Sequence, residues 1–194
     1  ITAKQDILLK HIYGVDIDSQ AVEVTKLSLL LKLMEDENTE SAEKLFKHSD
    51  EKLLPDLDNN IKCGNSLVDS SFYDGQNRQT SLFTEEKLRK VNTFDWKSEG
   101  EFDKKKNKYK DRGFPEIFKD GGFDIIVGNP PYVRQETLGE DFKKYAKSHY
   151  KNTYSGTADL YVYFIEKSLS ILKKDGLYSM IIANKWIKTK YGNS

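Results

Sequence analysis

The chain has one cysteine, four prolines and two methionines among 194 residues. A lone thiol, Cys63, excludes an internal disulfide and suits a reducing compartment. We read it as a small buried hydrophobe in a strand. No signal peptide opens the sequence, and no apolar stretch reaches the roughly 18 residues of a membrane-spanning helix. A soluble, cytoplasmic protein with no membrane partner is expected. An excess of charge of one sign is also missing: 31 basic residues face 31 acidic ones. No global basic field therefore marks a nucleic-acid binder, and any phosphate contacts must come from a local region. Glycine clusters, internal repeats and low-complexity tracts are absent as well.

What is present is an alternation of short apolar runs and helical stripes, at the polar edge of globular composition. His11–Ile17 reads as a strand, and Asp18 or Ser19 as the cap of a helix running to about Met34. Val24, Leu27, Leu31 and Met34 form one stripe of that helix, widened by Leu30 and Leu33, and so broad a face predicts packing against a sheet. Polar sequence follows, with a helix expected around 41–47, and Ile61-Lys62-Cys63 reads as a second strand broken by Gly64. Residues 70–122 exceed an ordinary connection and read as an insertion or lead-in segment, with an amphipathic helix over 82–91. Glu101–Arg112 within it is most simply a solvated helix or mobile loop. Phe123–Gly128 then reads as a buried parallel strand. Val133–Thr157 is expected to be a mobile loop with a short helix. Its basic residues (Arg134, Lys143, Lys144, Lys147, Lys151) alternate with acids and read as solvated surface rather than DNA contacts; Tyr145, Tyr150 and Tyr154 suit either base stacking or ordinary packing. A helix marked by Ala158, Tyr161, Ile165, Leu169 and Leu172 ends near Gly176, and Leu177–Ala183 is a further buried strand. This order predicts a mostly parallel sheet covered by helices on both faces.

The most informative residues are Asn129-Pro130-Pro131-Tyr132. Two prolines fix φ and remove two donors, so the strand ends abruptly in a stiff loop at its carboxyl end, where open α/β sheets bind ligands. The Asn129 side-chain oxygen and the Pro130 carbonyl are two acceptors at a fixed separation. An exocyclic amino group on a planar heterocycle presents two matching donors. Its nitrogen is a poor nucleophile because its lone pair is delocalised into the ring; accepting both hydrogens frees that pair. Tyr132 offers a face for the ring. No thiol, histidine or metal is required, so the electrophile must already be activated, as in a sulfonium methyl donor. Asp16, at the end of the first strand, suits the two hydroxyls of a ribose, with Ile17 against an adenine face; a helix-cap role is the plain alternative. Asn65 and Ser66, after the second strand, offer an amide and a hydroxyl to a cofactor base, or simply make an Asn turn.

Taken in order, these segments resemble amino-group DNA methyltransferases that use S-adenosylmethionine, and more narrowly the adenine-methylating domain of Type IIG restriction–modification enzymes and related phage-defence methylases. Tyr13–Asp18 resembles the family's ribose-binding strand end, with Asp16 at the acidic position. Gly64-Asn65-Ser66-Leu67 sits at the adenine-reading motif, with Asn65 in place of the more usual aspartate. Phe123–Tyr132 matches the catalytic motif with all four residues intact. Phe94-Asp95-Trp96 and Phe114–Phe118 resemble the Type IIG lead-in, and Asp159-Leu160-Tyr161 through Trp186 the helix and strand that follow.

The resemblance implies a Rossmann-like class I methyltransferase domain over residues 1–194, partial at both ends. The Gly-rich cofactor motif would precede Ile1 and the target-recognition domain would follow Ser194. It further implies S-adenosylmethionine as cofactor and double-stranded DNA as partner. On its own such a middle portion is expected to be inactive and to bind cofactor weakly. Two alternatives stay open: methylation of another planar amino or amide group, such as an RNA adenine or a protein glutamine, and a non-catalytic binding or assembly module.

Overall fold

A computed structural model describes residues 2–35, 55–73, 91–104, 108–110, 112–134 and 137–183. The helix expected at 41–47, most of that at 82–91, and Asn184-Lys185-Trp186 lie outside the described residues. The chain divides into two compact units, residues 1–66 with 81–92 and residues 67–80 with 93–194.

The first unit begins with α1 (Thr2–His11), a helix not expected from the sequence, followed by β1 (Gly14–Asp16), α2 (Ser19–Met34) and β2 (Ile61–Cys63). β1 and β2 pair in parallel, with Gly14 opposite Ile61 and Asp16 opposite Cys63. Asp18 is the cap of α2, its side chain accepting the Gln20 N–H. The core joins Leu8 of α1 to Val22, Leu57 and Ile61, with Leu9, Leu29 and Leu30 against them. This corrects the expected face of α2: Val22 and Leu33 are buried, whereas Val24, Leu27 and Leu31 are exposed. The helix carries Val or Leu on every side, so periodicity alone does not select a face, and α1 supplies the apolar partner. Asn60, buried, donates its amide to the carbonyls of Leu9 and Ile12 at 2.9 and 3.0 Å, satisfying the free end of α1.

The second unit holds a short 3₁₀ turn (Ser70–Tyr73), β3 (Glu101–Asp103), β4 (Lys108–Lys110), α3 (Pro115–Lys119), β5 (Phe123–Gly128), α4 (Glu140–His149), α5 (Leu160–Ile171) and β6 (Leu172–Met180). β3 and β4 form an antiparallel hairpin. The charge run Glu101–Arg112 is therefore not a helix or loop throughout; alternation around Phe102 and Tyr109 gives two short strands. β5 and β6 pair in parallel, Ile125 opposite Leu177 and Gly128 opposite Met180, with a register irregularity after Phe123. β6 starts five residues earlier than expected. The chain turns at Asp175, at φ 65°, rather than at a helix-ending Gly176.

Neither strand is buried on both faces, contrary to expectation: Ile125 is 62% and Val127 75% exposed, and Leu177 is exposed with them. The opposite face, with Ile126, Tyr178 and Met180, is half-buried. Unbroken apolar sequence signals two covered faces only when covering elements are packed there. Among the described residues the pairings are three separate two-stranded ones, two parallel and one antiparallel. The architecture is mixed α/β.

Aromatic packing explains where β5 begins. Phe114 is fully buried, and its ring lies 5.8 Å from Phe94, 6.0 Å from Trp96 and 6.0 Å from Phe123. Gly113 is required beside it, because a Cβ there would fall 2.2 Å from the Asp95 carbonyl oxygen. The segment read as an insertion or lead-in thus supplies core to this unit.

Candidate active site

In the first unit, Asp16 is exposed at the end of β1, and its Oδ1 accepts the Asp18 N–H at 2.8 Å. Ile17 beside it is 55% exposed. Parallel pairing brings the second strand's exit alongside, since the Gly64 N–H donates to the Asp16 carbonyl at 2.8 Å. Asn65 and Ser66 follow directly, both half-buried, with the Asn65 N–H donating to the Asn92 carbonyl at 2.6 Å. The four candidate cofactor residues thus stand at two neighbouring strand ends. Cys63 is exposed and not the buried hydrophobe expected. Its sulfur accepts from the Asn92 amide at 3.3 Å. A strand of three residues ends too soon to bury it.

In the second unit, Asn129 leaves β5 exposed, Pro130 is buried, and Pro131 and Tyr132 are exposed. Among the described residues, no hydrogen bond engages the Asn129 side chain. The loop itself is held firmly. The Ile181 N–H donates to the Gly128 carbonyl at 3.0 Å, the Leu160 N–H to the Val133 carbonyl at 2.8 Å, and the Tyr132 hydroxyl to the Ile181 carbonyl at 3.0 Å. The Tyr132 ring, 56% exposed, tilts by 52° against Tyr161 with centroids 6.2 Å apart. Sequence reasoning did not identify Leu160, Tyr161 and Ile181 as holders of this loop; the signal available was the Asp159-Leu160-Tyr161 motif.

Beyond the loop, α4 is the short helix expected within Val133–Thr157, and it is packed, with Tyr145 and Ala146 buried, rather than part of a mobile stretch. Tyr145 and Tyr150 are buried, so packing rather than base stacking is their role here. Their rings join Phe72 and Tyr163. Thr153 and Asn152 bind the Glu166 carboxylate of α5, closing the turn after α4. Burial pushes the Tyr163 phenol up to about 12 and raises the phenols of Tyr145 and Tyr150 as well. Burial also lowers the pKa of Lys167 on α5, against the opposing pull of Asp69 and Asp95.

Family comparison bears on all four sequence motifs together. The model of the Eco57I restriction-modification methylase matches residues 10–194. The chain belongs to this methylase family. It is 35% identical over 192 residues to the Type II restriction enzyme and methyltransferase RM.Eco57I of Escherichia coli, covering 97% of this chain and 16% of that protein. It is 42% identical over 73 residues to the Type II methyltransferase M.PaeR7I of Pseudomonas aeruginosa, covering 38% of this chain and 12% of that protein. The adenine-specific methyltransferase PglX of Lacticaseibacillus casei (strain Zhang) is 23% identical over 209 residues, covering 95% of this chain and 17% of that protein. The chain thus spans less than a fifth of the length of these relatives. Among the described residues, no helix is long and apolar enough to cross a membrane.

Proposed function

We propose that this chain is the catalytic portion of a cytoplasmic, site-specific DNA methyltransferase of a restriction–modification or phage-defence system. It would transfer a methyl group from S-adenosylmethionine to the exocyclic amino group of an adenine flipped out of double-stranded DNA. The carrying observation is the β5 exit: an exposed Asn129 on a doubly anchored proline loop, beside a half-open Tyr132 ring. Family membership and the names of the relatives support it. The parallel pairings and strand-end sites fit a Rossmann-like class I domain.

The chemistry follows from what each residue offers. Extracting the base costs a few kcal/mol, and stacking on Tyr132 returns about 1–3 kcal/mol. The Asn129 oxygen and the Pro130 carbonyl accept the two amino hydrogens, so the nitrogen lone pair leaves the ring's conjugation and points away from the loop. Both acceptors are neutral, and they orient the amino group without abstracting a proton before attack. The cofactor supplies a methyl already activated by sulfonium charge. When bound, it would give that methyl to the amino nitrogen in exchange for its S–C bond, and the surplus proton on nitrogen would pass to solvent. The residues present fit this cofactor. Asp16 keeps one carboxylate oxygen for ribose hydroxyls while the other holds the Asp18 N–H, and exposed Ile17 offers an apolar face to adenine.

The test is product identity. Full-length protein incubated with methyl-labelled S-adenosylmethionine and duplex DNA should yield N6-methyladenine among the digested nucleosides. Label found in RNA or in protein glutamine, or none with any substrate, overturns the proposal.

A further inference from the structure

From Phe142 to Ala158 the chain carries four lysines, Lys143, Lys144, Lys147 and Lys151, and no acidic residue. In a chain of zero net charge this is a local excess, because the alternation with acids stops at Asp141. The structure separates the four. Lys143 is occupied by the Glu140 carboxylate at 2.8 Å. Lys144, Lys147 and Lys151 are exposed, and among the described residues none of their ammonium groups is in a hydrogen bond or salt bridge. Glu166 of α5, which meets the end of this stretch, is satisfied instead by the Asn152 amide at 3.0 Å and by the Thr153 N–H and hydroxyl at 3.1 and 2.6 Å. The negative end of the α4 dipole accounts for Lys147, in the last turn, but fades before Lys144.

These lysines are also rigidly carried. Phe142 of α4 lies against Tyr163 with centroids 5.8 Å apart, and Tyr132 lies against Tyr161, so α4 and the Asn129 loop are both seated on α5 within the second unit. Phosphate contacts fix the register and orientation of a duplex, which calls for cations at a set place relative to the site of chemistry. We propose that Lys144, Lys147 and Lys151 form a docking surface for the phosphate backbone of duplex DNA. This rests on the reading of duplex DNA as the substrate. With no chain-wide basic field, the attraction is local, and it comes from release of the counterions that the three ammonium groups replace. Such contacts carry no sequence information, so the surface holds methylated and unmethylated sequences alike, and target choice is made elsewhere.

The experiment uses full-length protein and two DNA duplexes, one that it methylates and one that it does not, with affinity measured across a salt series. Replacing the three residues together (Lys144→Gln, Lys147→Gln, Lys151→Gln) should weaken binding to both duplexes by the same factor, about tenfold or more at low salt. The slope of log affinity against log salt should become shallower by about 2–3, since each phosphate contact contributes about 0.9. Arginine at all three positions should keep the parent slope. The single-turnover rate of the glutamine variant at saturating DNA and cofactor should stay within about twofold of the parent. As a control, Lys10, Lys119 and Lys173, which are paired with Asp6, Glu99 and Asp124, are replaced by glutamine. This makes the same change in net charge and should leave the slope close to the parent's. A parent-like slope in the Lys144, Lys147 and Lys151 variant overturns the surface and leaves DNA standing as substrate. An equal loss of slope in the control overturns it too, because net charge alone would then be at work. So does a loss confined to the methylated duplex, which would mean sequence reading rather than phosphate contact. If the parent protein binds neither duplex, the DNA reading falls, and the surface with it.

Discussion

The exits of β1 and β5 are both carboxyl ends of parallel strands, yet they are built oppositely. At β1 the chain leaves through Asp16 and Ile17 into α2, stabilised by its own side chains: Asp16 accepts the Asp18 N–H and Asp18 accepts the Gln20 N–H. At β5 the chain leaves through prolines and is fixed from outside, by Ile181 and Leu160. The first presents a charged acceptor, the second only neutral ones. A carboxylate suits a ligand whose hydroxyls stay protonated throughout. Beside an amino group about to attack a methyl, it would also compete for the proton and draw in water. The rigid, neutral exit therefore suits chemistry, and the charged, locally capped exit suits binding.

The sharpest way to break this contrast is Asn129→Ala. Removing one preorganised acceptor should lower the single-turnover methylation rate by at least about a hundredfold, by analogy with loss of one oxyanion-hole group. Thermal stability should be unchanged, since Asn129 is exposed and its side chain holds nothing among the described residues. A wild-type rate would remove Asn129 from the chemistry. Tyr132→Ala comes next, costing about 1–3 kcal/mol of base stacking, read as weaker binding to DNA carrying 2-aminopurine at the target position. Tyr132→Phe keeps the ring and loses only the bond to the Ile181 carbonyl, so its cost should be about 1 kcal/mol. Equal losses in the two variants would mean that anchoring, not stacking, is the ring's contribution.

Much of this contrast was legible in the sequence, because its determinants are local. Proline and asparagine chemistry act over four residues, so Asn129–Tyr132 marks a strand exit wherever the strand lies. Asp18 was readable as a cap for the same reason. What was not legible depends on distant partners. The buried face of α2 is one such feature, because α1 decides which of its leucines are covered. The hairpin over Glu101–Lys110 was hidden by charge, since strand pairing there is set by the opposite strand rather than by local preference. Ile181 acts on the loop through its backbone N–H and carbonyl, which no residue type announces.

A smaller effect sharpens the binding side. Asp16→Asn keeps an acceptor for the Asp18 N–H, so the turn should hold, but it removes the negative charge proposed to meet the ribose hydroxyls. Charge-assisted hydrogen bonds are roughly twice as strong as neutral ones, and an affinity loss of about tenfold for S-adenosylmethionine is expected by titration calorimetry. Methylation at saturating cofactor should be restored. A rate defect that saturation does not rescue would place Asp16 on the chemical side and erase the contrast.

The smallest expected effect concerns Asp69, just beyond the Asn65-Ser66 turn. Burial opposes its charge, but the Ser71 hydroxyl and N–H, together with the Lys167 ammonium and the Tyr145 hydroxyl, outweigh burial and hold its carboxyl below the usual aspartate range. A lowered folded pKa means that the charged form contributes stability fully above the unfolded value, about 3.9, and that this contribution fades as pH falls through the folded value. The side chain is partly open to solvent, which keeps the effect modest. Melting temperatures of wild type and Asp69→Asn, followed from neutral pH downward, should therefore differ most near neutrality, with wild type the more stable. The two curves should converge in acid, where wild type has also lost the charge. Taking the difference between the curves cancels carboxylates common to both proteins. Curves that stay parallel throughout would show that Asp69 is not stabilised as an anion.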